Sequence, residues 1–530
     1  MDSRIITGNV TRRDFLRGLA AGISLPYLQR FPGSRSSAVL NDVFWVKGIP
    51  DDPFYDRGQL NCHIGLDSLL HVMADNGLMF YRSSGGHAFA GPSGLIAPED
   101  IVLLKVNAQW KYRGCTNSDL IRGLIQRILD HPDGFSGEVV IVENGQGRGS
   151  LGCATTAAYG GDPGAHANAN DESHHFLYLV NEVFNDRRVS ATLLDPVRHI
   201  FIDADDHDTD GFRIFESVSY PCFTTAGGNR VELKEGVWKS GAHHKNLKLI
   251  NVPVLKHHDT GGSELTASLK HFYGLVSMSD GQSASRHYGK LGKTCGTMIA
   301  SVSTPVLNII DAIWVSYSSL KGYPAETTFR TNQLLASQDP VAADYWAAKY
   351  ILYPVDGNYR HHPDFSGIDS WLVQARDTIN GRGGLADAEK GILVGWVTKK
   401  ESEMRVRDCN AGDFLSSVRL SVSHSELHFI SPALVSRPLQ RALEVAVSGG
   451  SPLTWRVETD VPWLSCAPSS GSGNKTVTVL AHPAGLEPGI HTGRITIHCY
   501  GAVNTPQQVS VLLNVSQRPR KAGFDSKYGS

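Results

Sequence analysis

Residues 251–274, NVPVLKHHDTGGSELTASLKHFYG, end an apolar run in Lys256, His257 and His258 and soon afterwards present Lys270 and His271. Amines next to imidazoles suit two tasks. A lysine holds a carboxylate or phosphate as a point charge, and a histidine moves protons near neutral pH or binds a metal. Lys256, His257, Lys270 and His271 are therefore the candidate catalytic residues. The competing reading of any one of them is a surface charge or a hydrogen-bonded core histidine.

A strand, a turn and a helix must position these groups. The run LKLINVPVL (247–255) is too short and too rich in branched residues for an ordinary amphipathic helix, and it reads as a strand buried on both faces. A charge at its end then lies on the carboxyl edge of a sheet, where open α/β sheets bind ligands. Gly261-Gly262 supplies a turn, Ser263 a helix cap, and Leu265, Leu269 and Phe272 recur at helical spacing.

The order apolar strand, Pro, apolar, Lys, His, then a Ser/Ala-Leu-Lys-x-x-x-Gly helix followed by His287 resembles the bacterial and archaeal domain-of-unknown-function family numbered 362. VLLKVN with Lys105 and Asn107, LNIIDAI with Asp311, and LLASQDPVAADYWAAKYI with Asp339-Pro340 and Asp344 resemble the same family, in the same order, over residues 95–355. The resemblance implies a site at strand ends. Independently of the resemblance, Lys105, Asn107 and His287 are candidates to bind a small anionic substrate, and Asp311 and Asp344 candidates to orient a histidine or complete a divalent metal site. The resemblance implies no settled reaction. Some family members carry ferredoxin-like iron–sulfur motifs, and here this chain departs: its eight cysteines contain no C-x-x-C pair, which argues against a cluster or a zinc ribbon. The wide spacing also argues against a dense disulfide framework, with Cys466–Cys499 the first pairing to expect if one forms.

TRRDFLRG (11–18) before GLAAGISLPYL looks like a twin-arginine export signal, with residues 1–38 as the signal segment and a periplasmic or extracellular destination. The apolar part falls far below the roughly 20 residues that cross a bilayer. A formal net charge of −2 over 530 residues carries no basic bias toward nucleic acid. Ten of the 22 histidines fall between His174 and His287, three times as doublets, of which one member each can serve a common centre, since neighbours diverge.

IVLLKV (101–106), EVVIVE (138–143), IFID (200–203), LKLINV (247–252), LNIIDA (307–312) and GILVGWV (391–397) read as buried strands, with helices over 117–130, 172–185 and from Pro340 through Ile351. Strands alternating with helices predict a mostly parallel α/β sheet over residues 39–415. Gly147, Gly149 and Gly152 spell G-x-G-x-x-G, but no compact helix follows, so a dinucleotide site is not expected. In DADDHDTDG, Asp206, Asp208, Asp210 and Gly211 match the opening of a calcium loop, although its twelfth position is Ser217; the alternative is a solvated acidic turn.

From residue 416 to 517 short alternating runs separated by turn residues predict an antiparallel immunoglobulin-like sandwich, followed by a polar tail over 518–530. Trp455, Pro462-Trp463-Leu464, the Gly-rich turn after Ser469 and Pro488-Gly489 before Thr492-Gly493 resemble a BACON-type domain. That resemblance implies a carbohydrate- or surface-binding appendage or a spacer. Trp463 is either a sugar-stacking ring or a core residue. Two functional classes follow: an exported enzyme with a Lys/His/Asp site at the sheet's carboxyl edge, or a non-catalytic surface protein that binds a glycan.

Overall fold

A computed structural model describes residues 38–516, apart from 55–60, 85–86, 148, 156–160, 163, 259–264, 278–288, 433–436, 449–452, 500–501 and 503. The export signal, Ser263 and His287 lie outside the described residues.

The larger part is built on a ten-stranded sheet: β1 (Asp42–Lys47), β2 (Ile101–Lys105), β3 (Glu138–Glu143), β4 (Val189–Leu193), β5 (Leu247–Asn251), β6 (Val254–His257), β7 (Leu265–Thr266), β8 (Leu307–Ser316), β9 (Thr328–Ser337) and β10 (Arg405–Asn410). The order is β10-β1-β9-β8-β5-β2-β3-β4, with β6 joining β8 and β7 off this path. β2, β3, β4, β5 and β8 run parallel, and β9 runs against β8 and β1. Burial on both faces explains why β2 and β3 are continuous apolar runs rather than alternating ones, while β5, LKLIN, is buried along its whole length with Lys248 included.

Helices α1 (Ile64–Asp75), α2 (Ser118–Leu129), α3 (Ser268–His271), α4 (Leu291–Ser301), α5 (Pro340–Ala347) and α6 (Ser366–Asn380) accompany the sheet. Asn117 caps α2 by accepting from Leu120 N, and Asp339 caps α5 ahead of Pro340, as their residue types predict. The expected helix over 172–185 is a short turn at Phe176–Tyr178 that widens into a π-helical segment.

One expected strand fails and another forms outside the large sheet. IFID contributes only an isolated bridge, Phe201 to Phe212, and Phe201 is exposed. GILVGWV forms a two-stranded hairpin, Ile392–Gly395 with Leu385–Asp387, and leaves Val394 and Trp396 in solvent. Between β4 and β5 the chain inserts an antiparallel five-stranded sheet over Gly211–Phe215, Val218–Thr224, Arg230–Glu232, Gly236–Lys239 and Ala242–His244.

The carboxyl-terminal part pairs a four-stranded with a five-stranded sheet, from Arg419–Val422 to Gln507–Val515. Trp455 and Trp463 both lie in its core, which corrects the reading of Trp463 as a sugar platform. Cys466 and Cys499 sit in different sheets as free thiols. Among the described residues no helix is long and apolar enough to cross a membrane.

Candidate functional site

β2 is flanked by β3 on one side and β5 on the other, so the connections leaving β2 and β5 diverge at their carboxyl ends, which makes this the topological switch point of the sheet. The last residues of these two strands, Lys105 and Asn251, are register partners. The expected chemistry begins at this switch point.

Lys105 Nζ bonds the Glu143 carboxylate at the end of β3, donates to Val106 O at 2.8 Å, and lies 3.0 Å from His271 Nε2. An ammonium only donates, so His271 Nε2 accepts and its Nδ1–H donates to Asn251 Oδ1 at 2.6 Å. Asn251 Nδ2 then donates to Ser268 O and to Asn308 Oδ1, and Asn308 Nδ2 donates to Ser337 O. One polar chain thus crosses the sheet from Glu143 to β9 with each donor aimed at an acceptor, the condition under which a buried network is stable. Burial pushes Glu143 up to about 7 against the pull of Lys105, and the same burial lowers Lys105. His271 is held well below its ordinary value by burial and then by the Lys105 charge, so it is neutral.

Gly274 closes this group. A Cβ there would stand 2.9 Å from Lys105 Nζ and 3.7 Å from Glu143 Oε2, which gives the last glycine of the Ser-Leu-Lys-x-x-x-Gly motif a steric reason. Gly274→Ala is expected to lower stability by about 1–3 kcal/mol through overpacking, read as an earlier urea midpoint.

Lys256, at the end of β6, is buried and donates to Gly114 O at 2.6 Å. Burial lowers it to about 8, and the charges of Cys115, Glu143 and Lys105 act on it in turn. The loop it meets carries Lys111 and Arg113, and Lys321 stands over Trp110 at 5.5 Å. Lys111 bonds Asp162, and Arg113 donates to Asn168 Oδ1 at 2.6 Å and packs on Trp314. Cys115 and Cys153 face each other with sulfurs 3.7 Å apart. Burial raises the Cys115 thiol, but its hydrogen bond with Cys153 and the Lys256 and Arg113 charges bring it below its ordinary value. Three non-glycine residues of the two loops, Tyr112, Gln146 and Cys153, hold positive φ of 50°, 56° and 51°, local strain of the kind that collects at ligand sites.

The remaining candidates are placed differently. Asn107 Oδ1 accepts from Val254 N at 2.9 Å and fastens two backbones. Lys270 and His257 are buried to one side: the Lys270 and Asp344 charges both act on Cys295, and the His257 ring lies 5.5 Å from that of His361. Asp311 accepts from Asn117 N and Ile313 N, and Asp344 from Ser268 N and Leu269 N. Burial raises both to about 7, with the backbone bonds opposing. They hold main chain, and no metal-type cluster among the described residues includes them.

Asp206, Asp208 and Asp210 do not converge either. Asp206 Oδ1 accepts from Asp208 N and Thr209 N, while Asp210 pairs with Arg230 at 2.7 Å. Among the described residues no metal-type group includes these aspartates. Gly145 N and Gly147 N both donate to Asp195.

The class these features define is an open, mostly parallel α/β domain with a polar switch-point site, followed by a β-sandwich. Within it, residues 223–349 match the family model of a domain of unknown function, DUF362. The matched span contains Lys256, His257, Lys270, His271, His287, Asp311 and Asp344, while Lys105 and Asn107 precede it. No curated protein matches the chain. Among solved structures, it is similar to a Bacteroides ovatus GH5 xyloglucanase in complex with a XXXG heptasaccharide at 15% identity, over 20% of each chain, with a TM-score of 0.16. A PapD-like domain of human CEP192 is 13% identical over 20% of this chain and 89% of its own, with a TM-score of 0.17. A putative carbohydrate binding protein from Bacteroides ovatus is 8% identical over 19% of this chain and 38% of its own, with a TM-score of 0.17.

Proposed function

We propose that the protein is an exported enzyme whose switch-point site takes a small anionic substrate, with Lys256 as its principal anion anchor and proton-transfer group. The observation that carries this reading is the buried Lys256 ammonium, lowered to about 8 and set beside Lys105, Glu143 and Cys115. A group with a pKa close to the working pH can both give and take a proton, whereas an ordinary lysine only gives charge. Lys111, Arg113 and Lys321 add positive charge to the loops around it. His271 and Lys105 are positioning residues in this scheme, because both are spent on the buried network. The sandwich is a BACON-like surface-holding appendage, in which any glycan contact lies away from the buried rings of Trp455 and Trp463.

The test measures thermal stability with millimolar phosphate, acetate or malonate across pH 6.5–9.5. A ligand at 100 times its dissociation constant stabilises by about 2.7 kcal/mol. The gain is expected below pH 8, where Lys256 is charged, and lost as pH rises through about 8. Lys256→Met is expected to fold and to show no anion response. If no anion stabilises the protein, or the variant responds as the parent does, the anionic-substrate reading fails.

A further inference from the structure

The inserted five-stranded sheet carries a second constellation, independent of the switch-point site. Glu232 is fully buried, and both of its oxygens meet an imidazole: His207 Nδ1 lies 2.6 Å from Oε1 and His243 Nε2 lies 2.6 Å from Oε2. These three ligand atoms all lie within 4.8 Å of one another, and this is the one such group among the described residues. We propose that His207, Glu232 and His243 form a binding site for a divalent metal ion of the zinc class.

The sheet's register explains the convergence. Glu232 pairs with Gly236, and Trp238 with both Arg230 and His243, so Arg230, Glu232, Trp238 and His243 share one face by strand alternation. Gly236 places no side chain between Glu232 and its neighbours, and a Cβ there would collide with His244 O at 2.3 Å. His207 arrives from the loop before the sheet and stacks on Trp238, with ring centres 3.6 Å apart and planes 9° from parallel. That stacking fixes the imidazole plane while the ring edge stays reachable, the side chains of His207 and His243 being 20% and 26% exposed.

Arg213 donates to both Glu232 oxygens, at 2.7 and 3.2 Å. A carboxylate oxygen has two lone pairs, so the guanidinium can hold the group from behind while an ion takes the imidazole side, as outer hydrogen bonds hold metal-ligating carboxylates. The positive charge of Arg213 and Arg230 opposes a cation. Against it stand the Glu232 carboxylate itself and Asp210, which pairs with Arg230 at 2.7 Å. Burial raises Glu232, but bonds from His243, His207 and Arg213 outweigh it, so the carboxylate stays ionised.

Two imidazoles and one carboxylate select zinc, nickel or copper over calcium and magnesium, and water completes the four ligands. With metal–ligand bonds of about 2.0–2.2 Å, the two rings would withdraw from their 2.6 Å contacts with Glu232 to admit the ion between nitrogen and oxygen. The ion would tie the loop at His207 to two strands of the insert, in place of the calcium ion that the aspartate spacing had pointed to.

The test uses the full chain, stripped with chelator and titrated with zinc chloride by calorimetry, with cobalt(II) absorption as a second readout. One zinc per chain is expected, with cobalt bands that chelator abolishes. His207→Ala/His243→Ala is expected to weaken zinc binding at least a hundredfold and remove the cobalt bands, while Asp206→Asn/Asp208→Asn keeps the stoichiometry. Chelator should lower the parent's melting temperature and leave that of the histidine variant unmoved. If the histidine variant misfolds, the parent decides: a stoichiometric zinc whose cobalt spectrum reports nitrogen and oxygen ligands supports the site. A parent that binds no zinc, a folded variant that keeps its equivalent, or a sulfur-ligand cobalt spectrum overturns it.

Discussion

Replacing Lys105 with methionine is expected to destabilise the protein by about 3–5 kcal/mol, because it leaves the Glu143 carboxylate buried without its partner. The Lys105 and Glu143 side chains are 0% and 3% exposed, so water cannot solvate the charge left behind. Burial already lifts Glu143 to about 7 with Lys105 opposing, and removing the lysine lifts it further. The sign of the pH effect follows. A carboxyl whose folded pKa lies above its unfolded value binds its proton preferentially in the native state, so stability falls as pH rises through the folded pKa. The single variant should therefore lie nearest the parent at pH 5.5 and furthest from it at pH 8.5 in urea titrations. Lys105→Met/Glu143→Leu removes both charges and should recover most of the loss. A single variant within 1 kcal/mol of the parent at pH 8.5 would show that the pair carries no such burden.

How far this arrangement could be read from the residues depends on what each contact needs. β2 and β3 announce themselves because burial on both faces writes an unbroken apolar run, β5 because Leu247, Leu249 and Ile250 outweigh the one lysine among them, and the abrupt charge at the end of such a run marks the carboxyl edge. Lys105, Lys256 and His271 could be named on that ground. Glu143, Asn251 and Asn308 escaped: each is an ordinary polar residue at or near a strand end, and only the cross-sheet neighbours decided by topology turn them into a chain. The one available signal was Glu143, a carboxylate closing the apolar run EVVIVE. Asp311 and Asp344 misled for the opposite reason. They were named as carboxylates at a strand end and on a helix, but their partners are backbone N–H groups, which no residue pattern displays. The insert was illegible because its strands are mostly three to five residues long and pair within a local meander that lacks a repeated period. Its aspartate loop drew attention while Glu232, the residue that meets both histidines, was one of two glutamates in RVELKEG. GILVGWV failed because an apolar run records composition, and Val394 and Trp396 are apolar yet exposed.

Asp344→Ala is expected to cost about 2–6 kcal/mol, the sum of two backbone donors left buried without acceptors at about 1–3 kcal/mol each. Asp344 Oδ1 accepts from Ser268 N at 2.7 Å and Oδ2 from Leu269 N at 3.0 Å, fixing the first turn of α3. α3 is only four residues long, so this clamp, rather than its own ladder, sets where Lys270 and His271 point. Asp344→Asn retains one acceptor and turns an amide N–H toward the second donor, so an intermediate loss is expected. Asp344 stands at about 7 because burial outweighs the bonds that favour its charge. The parent should accordingly lose part of its stability as pH rises through 7, and the asparagine variant should lack that part of the slope. Urea titrations of all three proteins between pH 5.5 and 8.5 measure both effects, and a loss below 1 kcal/mol for Asp344→Ala would refute the clamp. The comparison with Lys256→Met separates scaffold from chemistry. Loosening α3 should weaken anion binding only in proportion to the fold it disturbs, whereas losing the Lys256 ammonium should abolish binding in a protein that remains folded.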